Sequence, residues 1–222
     1  MYKTEMHLHT SESSFCAHRT AAEMVRAYKD AGYSTVVVTD HMQWDTVGAM
    51  PGDWRQKLDF FFAGYEAAKR EGEALGVNVL FGAEFGFWGS PNHYLVYGMD
   101  REFLEAHPNI LDYGIEKLST IVRREGMLIL QAHPFRDGSC YPTPYVVDGV
   151  EVCNTNPRHD DKDEKAWAMA REYNLLISGG SDAHREDDAA RGGIETEEEI
   201  KTIGDLIAAI RSGKVRILGE AV

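Results

Sequence analysis

The chain has too few cysteines to be built on them. Cys16, Cys140 and Cys153 are an odd number without CxxC spacing. Neither a disulfide framework nor a zinc knuckle is expected, and the three read as thiols in a reducing compartment. Long apolar runs are missing as well. No stretch approaches the roughly 20 residues that span a bilayer, and the opening MYKTEMHLHT has neither a charged n-region nor an apolar h-region. A soluble, cytoplasmic protein without a membrane partner is expected. No Pro/Gly/Ser-rich linker, low-complexity tract or repeat interrupts the 222 residues, a length that suits one substantial core and is short for two. One domain over 1–222 is the expectation. Positive charge is scarce: 23 Lys+Arg stand against 36 Asp+Glu, for a formal net charge of −13. Tracking a polyanion needs clustered Lys and Arg, so long nucleic acid is not an expected partner. Much of the acidic excess lies in DDKDE (160–164), REDD (185–188) and ETEEE (195–199). These runs read as solvated loops and helix ends.

Histidine is what the chain has in an informative pattern. His7 and His9 close YKTEMHLH, His41 closes TVVVTDH, and His133 closes MLILQAH. Glu84 closes NVLFGAE, and Asp182 and His184 sit in LLISGGSDAH. Each run has the length of a buried strand, and each ends in a group that a water-excluded site does not hold without a partner. Polar donors repeated at strand ends are how a cluster of metal ions is wired.

Helical patterns separate the runs. Thr20 and Glu23 form a capping-box pattern, followed by Ala21, Met24, Val25 and Tyr28 at helical spacing up to Gly32. Leu58, Phe61, Phe62, Tyr65 and Ala68 make a second stripe between Asp53 and Gly76, and Ile115, Leu118, Ile121 and Val122 a third before Gly126. GVEVCN, a helix around Trp167, Ala170 and Tyr173, LLISGGSD, a helix with Ile203, Leu206, Ile207 and Ile210, and VRILG complete the alternation. Strands alternating with helices imply right-handed βα units, a parallel sheet and, with about seven units, closure into a barrel. Closure also lets donors scattered along the sequence meet at the C-terminal strand ends.

On an extended strand His7 and His9, at i and i+2, face one side and can grip one metal. The carboxylate of Glu84 has two oxygens and can bridge two cations, and Asp182 can complete a shell. His93, in NHYLVYG, follows Glu84 at a distance suited to a hairpin, and His18, in SFCAHRT, lies in a loop able to reach over the barrel mouth. His107 reads as a helix end and His159 as a pocket-lining candidate.

In this order HLH, TDH, a Glu-then-His strand pair, AHPF and SDAH resemble the PHP (polymerase and histidinol phosphatase) family over nearly the whole chain. The resemblance implies a distorted (β/α)7 barrel with the metal site at the C-terminal ends of the strands. It also implies two or three divalent metal ions. His7, His9, Glu84 and Asp182 then hold a first metal, Glu84, His93 and His133 a second, and His18, His41 and His184 a third. No ligand position is occupied by a non-coordinating residue. A His-rich site with two carboxylates suits Zn, Mn and Fe alike.

Such a site carries excess positive charge and favours an anion. The expected function is hydrolysis of a small phosphate ester by a metal-bridging hydroxide, with Glu84 and Asp182 as the catalytic carboxylates and no covalent enzyme intermediate. Asp182 would orient or deprotonate the nucleophile, and Asp40 would orient a neighbour. Arg136, Arg158, Arg185 and Arg191, all near strand ends, are the candidate phosphate clamps. The alternatives are a 5′-end exonuclease, a histidinol phosphatase and a non-catalytic metal-binding module. Amidohydrolase-type C–N hydrolysis also uses HxH, but no lysine stands at a strand end to bridge its metals.

Overall fold

The computed structural model describes residues 1–219. In chain order the elements are β1 (Tyr2–Leu8), α1 (Ala21–Asp30), β2 (Tyr33–Val38), β3 (His41–Met42), α2 (Trp54–Leu75), β4 (Asn78–Gly86), β5 (His93–Tyr97), α3 (Arg101–Ala106), α4 (Gly114–Arg124), β6 (Leu128–Gln131), β7 (Gly149–Asn154), α5 (Asp163–Tyr173), β8 (Leu176–Gly180), β9 (Gly193–Thr196), α6 (Ile203–Ser212) and β10 (Arg216–Leu218). The helices start and stop where the sequence predicts. Thr20 and Asp53 form capping boxes at α1 and α2, and Gly76 ends α2 in the left-handed conformation. Their apolar stripes face inward, with Met24, Val25 and Tyr28 of α1 and Ala68 of α2 packed on Val36 and Val38 of β2.

The strands form one sheet in the order β10-β9-β1-β2-β4-β5-β6-β7-β8, with β3 beside the upper end of β4. The sheet nearly closes into a barrel. The segment after β8 bridges back to β1 through Leu8 and Ala183 in parallel, with hydrogen bonds from His9 N–H to Ala183 O at 3.0 Å and from Ser181 N–H to Glu5 Oε1 at 2.9 Å. Glycine at 180 makes the closure possible, because a Cβ there would run into His7 Cβ and Glu151 Oε1.

The sheet is not wholly parallel. β5 runs antiparallel to both β4 and β6, and β9 antiparallel to β1 and β10. A run of apolar residues has no direction of its own, so the sequence pattern does not distinguish these two strands from the parallel ones. The reversal of β5 has a consequence for chemistry. Its first residue, His93, pairs with Gly86 at the end of β4, so its donor reaches the same barrel mouth as the strand-terminal donors.

Candidate metal centre

The donors meet at the upper ends of the strands. Glu84, near the end of β4 and 1% exposed, is the hub. Its Oε1 lies 3.2 Å from His7 Nε2, 3.2 Å from His93 Nδ1 and 3.1 Å from His133 Nε2, and its Oε2 lies 3.3 Å from His9 Nε2 and 2.9 Å from His41 Nδ1. Asp182 Oδ1 stands 3.4 Å from His7 Nε2, 3.2 Å from His9 Nε2 and 3.5 Å from His184 Nδ1. Eight of the side chains singled out from the sequence, His7, His9, His41, Glu84, His93, His133, Asp182 and His184, are therefore brought together.

Backbone geometry aims two of them. His133 and Asp182 have φ of +26° and +47°, values that cost a residue with a side chain about 1–3 kcal/mol each. The strain is held by specific bonds. His133 N–H donates to Glu151 Oε2 at 3.0 Å, and Asp182 O accepts from Asn156 Nδ2 at 3.0 Å and from His184 Nδ1 at 2.9 Å. On the opposite side Asp40 accepts from Thr10 N–H at 2.7 Å, Thr10 Oγ1 at 2.6 Å and Ser14 Oγ at 2.7 Å. It anchors the loop after β1 and turns no oxygen to the cluster.

The donor set fits cations. His7 Nε2, both ring nitrogens of His9, His41 Nδ1 and Glu84 Oε2 are buried without a hydrogen bond, and a buried polar atom left so costs about 1–3 kcal/mol. Three groups offer ligand atoms within 4.8 Å of one another: His7 with His9 and Glu84, His41 with Glu84 and His93, and His9 with His41 and His184. Protonation is divided among the donors: against burial, the charges of Asp182, Glu151 and Glu84 push His7 well above the ordinary imidazole value and Glu84 does the same for His41, while His184 is raised beside Cys16 and Asp182. Burial opposes ionisation of Glu84, yet His7, His93 and His41 hold it well below the usual carboxylate range. Burial likewise opposes ionisation of Asp182, and His7 and Arg136 keep it well below the usual range. Burial and then the neighbouring His184 and His41 keep His9 well below the ordinary imidazole value, and burial with the Arg136 charge brings His133 down to about 4. The carboxylates are thus in the form that binds metal, and a cation there would displace the protons of the charged imidazoles.

His18 is placed elsewhere. It is exposed, its backbone N–H donates to His184 O at 2.8 Å, and it lines an open cavity of about 630 Å³ with Arg19, Arg185, Glu186 and Asp187. The thiol of Cys16 instead lies against His184 and His41. Burial works against its ionisation, but the two imidazoles bring it down to about 6.

The four arginines separate. Arg136 enters the site: Nη2 lies 2.6 Å from Asp182 Oδ2 and Nε donates to Asp161 Oδ1 at 2.6 Å. Arg158 is drawn into a two-pronged pair with Asp188. Asp188 is fully buried and also accepts the backbone N–H groups of His184 and Arg185, each at 2.9 Å. Arg158 therefore braces the loop that carries Asp182 and His184. Arg185 is exposed on the rim. Arg191 is exposed, and its backbone N–H donates to Ser181 Oγ at 3.2 Å. His107 caps α3, and His159 Nδ1 lies 2.7 Å from Asp137 Oδ2 outside the cluster.

Three acids escaped the sequence pattern. Glu151, inside β7, binds His7 Nδ1 at 3.0 Å. Asp161 and Asp188 belong to runs that read as solvated, yet both are buried against arginines. A cation following at helix or strand spacing would have signalled them, but their arginines come from distant loops.

Comparison with known proteins gives the same picture. Residues 5–180 match the PHP domain, and residues 162–215 match a family described as PHP-associated. No curated protein matches the chain. Among solved structures, PsfC from Pseudomonas syringae is 20% identical with a TM-score of 0.71, over 99% of this chain and 92% of that one. A two-domain protein from Bacteroides vulgatus, described as containing a predicted PHP-like metal-dependent phosphoesterase, is 14% identical with a TM-score of 0.67. It is aligned over 97% of this chain and 64% of its own length. An amidohydrolase from Chromobacterium violaceum, with bound sulfate and no metal, is 14% identical with a TM-score of 0.60, over 96% and 97% of the two chains. Identities this low speak for the fold alone. The family match spans most of the sequence and contains every donor named above except Asp182 and His184, which follow directly after it: the chain belongs to the PHP domain family.

Proposed function

We propose that this protein is a metal-dependent phosphoesterase acting on a small phosphate ester, a phosphomonoester or a phosphodiester. The observation that carries the reading is the hub position of Glu84, with imidazoles of His7, His93 and His133 around one oxygen and those of His9 and His41 around the other. One carboxylate so placed could serve two adjoining cation positions. His7, His9, Glu84 and Asp182 would hold one ion, Glu84, His93 and His133 another, and His41 and His184 would belong to a third. Bound there, divalent transition ions supply Lewis acidity and a hydrolytic water of lowered pKa.

The chain's own groups bind and orient. Asp182 directs Oδ1 at His7 and His9 and Oδ2 at Arg136, so it can position the attacking water and receive its proton at a carboxylate oxygen. Arg136 has guanidinium donors beyond those used by Asp161 and Asp182, and these suit a phosphoryl oxygen. Arg185 adds charge at the rim. With two carboxylates among the eight donors, two or three divalent ions would leave the pocket net positive, which would favour a phosphoryl group over a neutral amide or sugar. The Chromobacterium relative holds sulfate, a tetrahedral dianion. C–N hydrolysis of the lysine-bridged kind is disfavoured, because among the described residues the bonded lysine amines reach Ala31, Gly48, Asp160 and Glu199, none of them a donor of the cluster.

A screen of metal-reconstituted protein over phosphomonoesters, cyclic and dinucleotide phosphodiesters and short oligonucleotides tests the proposal. The highest kcat/KM is expected on a small ester. No hydrolysis of any ester, or a long single strand cleaved with higher kcat/KM than every small ester at equal ionic strength, overturns it. The exonuclease alternative cleaves a phosphodiester and the histidinol-phosphate alternative a phosphomonoester, so the same screen ranks them.

A further inference from the structure

Beyond the donors, the loops at the barrel mouth expose large aromatic rings. Trp44 follows His41 by three residues and is 41% exposed, and Trp88 follows Glu84 by four and is 87% exposed. Both line one open cavity of about 500 Å³, whose other walls are Asp45 and Asp112. A single exposed indole is ordinary, but two that share a cavity leave a joint apolar surface bare to water. Trp44 is held where it stands. A Cβ at Gly48 would run into Trp44 Cε3 and lie 3.4 Å from Leu111 Cδ1, so glycine at 48 lets the ring lie down beside the turn Ile110–Asp112.

The charge of the cavity has one sign. Among the described residues, no basic side chain lines it or pairs with either carboxylate. Lys57, bonded to the same turn as Trp44, directs its amine to Gly48 O. The cavity lined by His18, Arg19, Arg185, Glu186 and Asp187 differs in mixing both signs, with Arg19 already paired to Glu23 and Glu186.

Chain connectivity ties the two indoles to the donors. A Cβ at Gly86 would meet Gln43 Oε1 and the ring of His93, so the residue before Trp44 reaches the strand end that carries His93. Successive Cα atoms are about 3.8 Å apart, which keeps the Cα of Trp88 within about 8 Å of Gly86 and that of Trp44 within about 12 Å of His41. One small molecule can span that separation.

We propose that this cavity receives an organic cation, so that the substrate is a phosphate ester whose leaving alcohol carries an ammonium group. Indole faces attract an ammonium by about 0.5–2 kcal/mol, and the two carboxylates add Coulomb attraction. A neutral planar base would gain stacking but nothing from two unpaired acids, and a second phosphate would be repelled by them. The inference rests on the phosphoesterase reading for the phosphate end of the substrate and adds the class of its leaving group. For a monoester, water gives its oxygen to phosphorus and a proton to the leaving oxygen as the bond between them breaks. Inorganic phosphate and the ammonium-bearing alcohol are released, with no change of oxidation state.

Paired substrates isolate the charge. Trimethylammonioalkyl phosphates of increasing chain length, beginning with phosphocholine, are compared with the tert-butyl-terminated esters in which carbon replaces nitrogen. With metal-loaded wild type, kcat/KM at the best chain length should be about tenfold or more higher for the cationic member. The ratio should fall to about twofold or less in Trp88→Ala and in the double variant Asp45→Asn, Asp112→Asn. Trp88 is too exposed, and asparagine too close in shape to aspartate, for folding to confuse the result. A second arm needs no turnover: choline and its tert-butyl analogue are titrated into metal-loaded protein while tryptophan emission is read. Choline should change the emission of the wild type at millimolar concentration and have little effect in Trp88→Ala, and the neutral analogue should have little effect in either. Equal kcat/KM within every pair, a cation preference that survives in both variants, or emission indifferent to choline overturns the proposal. A nucleoside monophosphate turned over with higher kcat/KM than every cationic ester overturns it too, by assigning the indoles to a base. Failure to hydrolyse any ester would sink the phosphoesterase reading instead, and the choline titration would still decide the cation site.

Discussion

Glu151 Oε1 lies 3.0 Å from His7 Nδ1, with both side chains at 0% exposure, while Oε2 of the same carboxylate accepts His133 N–H. One buried acid therefore fixes the ring of one donor and the strained backbone of another. Burial opposes its ionisation, and the charges and bonds of His7 hold it below the usual carboxylate range. Glu151→Gln preserves the shape but removes the anion that orients His7 and makes its Nε2 more basic. Affinity for the ion held by His7 and His9 should fall about 10–100-fold, with circular dichroism unchanged. Competition against a chelator of known affinity measures it. An affinity equal to wild type would show that Glu151 does not position His7.

Glu84→Gln removes the oxygen pair that faces five imidazoles. An amide presents one acceptor and one donor, and the donor side repels a cation. Phosphate-ester turnover should drop by about a hundredfold or more, and metal content should fall more than thermal stability does. Turnover within tenfold of wild type would contradict the hub role.

The sequence carried much of this because strand ends and helix ends are local events. Thr20, Asp53 and Gly76 announce α1 and α2 within one turn, and an apolar run ending in His or Glu announces both a strand and its donor. What it did not carry is non-local. The direction of β5 and β9 depends on which neighbours they meet. Arg158 reads as a phosphate clamp until Asp188, thirty positions later, claims both its terminal nitrogens. Asp161 reads as one of four acids in DDKDE until Arg136 draws it inward. His18 and Cys16 lie two apart, and only the loop's anchoring distinguishes the imidazole on the rim from the thiol over the donors.

Arg136 and Arg158 should therefore respond differently to truncation. Arg158→Ala leaves the buried Asp188 carboxylate without its partner. Because the arginine side chain is 29% exposed, the cost is less than that of a fully buried pair, about 1–3 kcal/mol. Thermal unfolding should show it, with KM for a small ester little changed. Arg136→Ala should raise KM and lower kcat together, since it removes both a phosphate donor and the neighbour that holds Asp182. A rise in KM for Arg158→Ala equal to that for Arg136→Ala would restore Arg158 to the substrate clamp.

Asp161 sets a pH dependence with a definite sign. Burial pushes its carboxyl from 3.8 up to about 7, against the pull of Arg136, which is shared with Asp182. The folded state then holds a proton that the unfolded chain has already released between pH 3.8 and about 7. In that window the folded state binds more protons, so stability from this group falls as pH rises and levels off above about 7. Asp161→Asn cannot ionise and should remove that slope, making the variant relatively more stable at pH 7.5 than at pH 4.5 when each is compared with wild type. Urea unfolding of the metal-free protein at the two pH values measures the difference. No difference between the two pH values would mean that Asp161 is ionised throughout, with Arg136 outweighing burial.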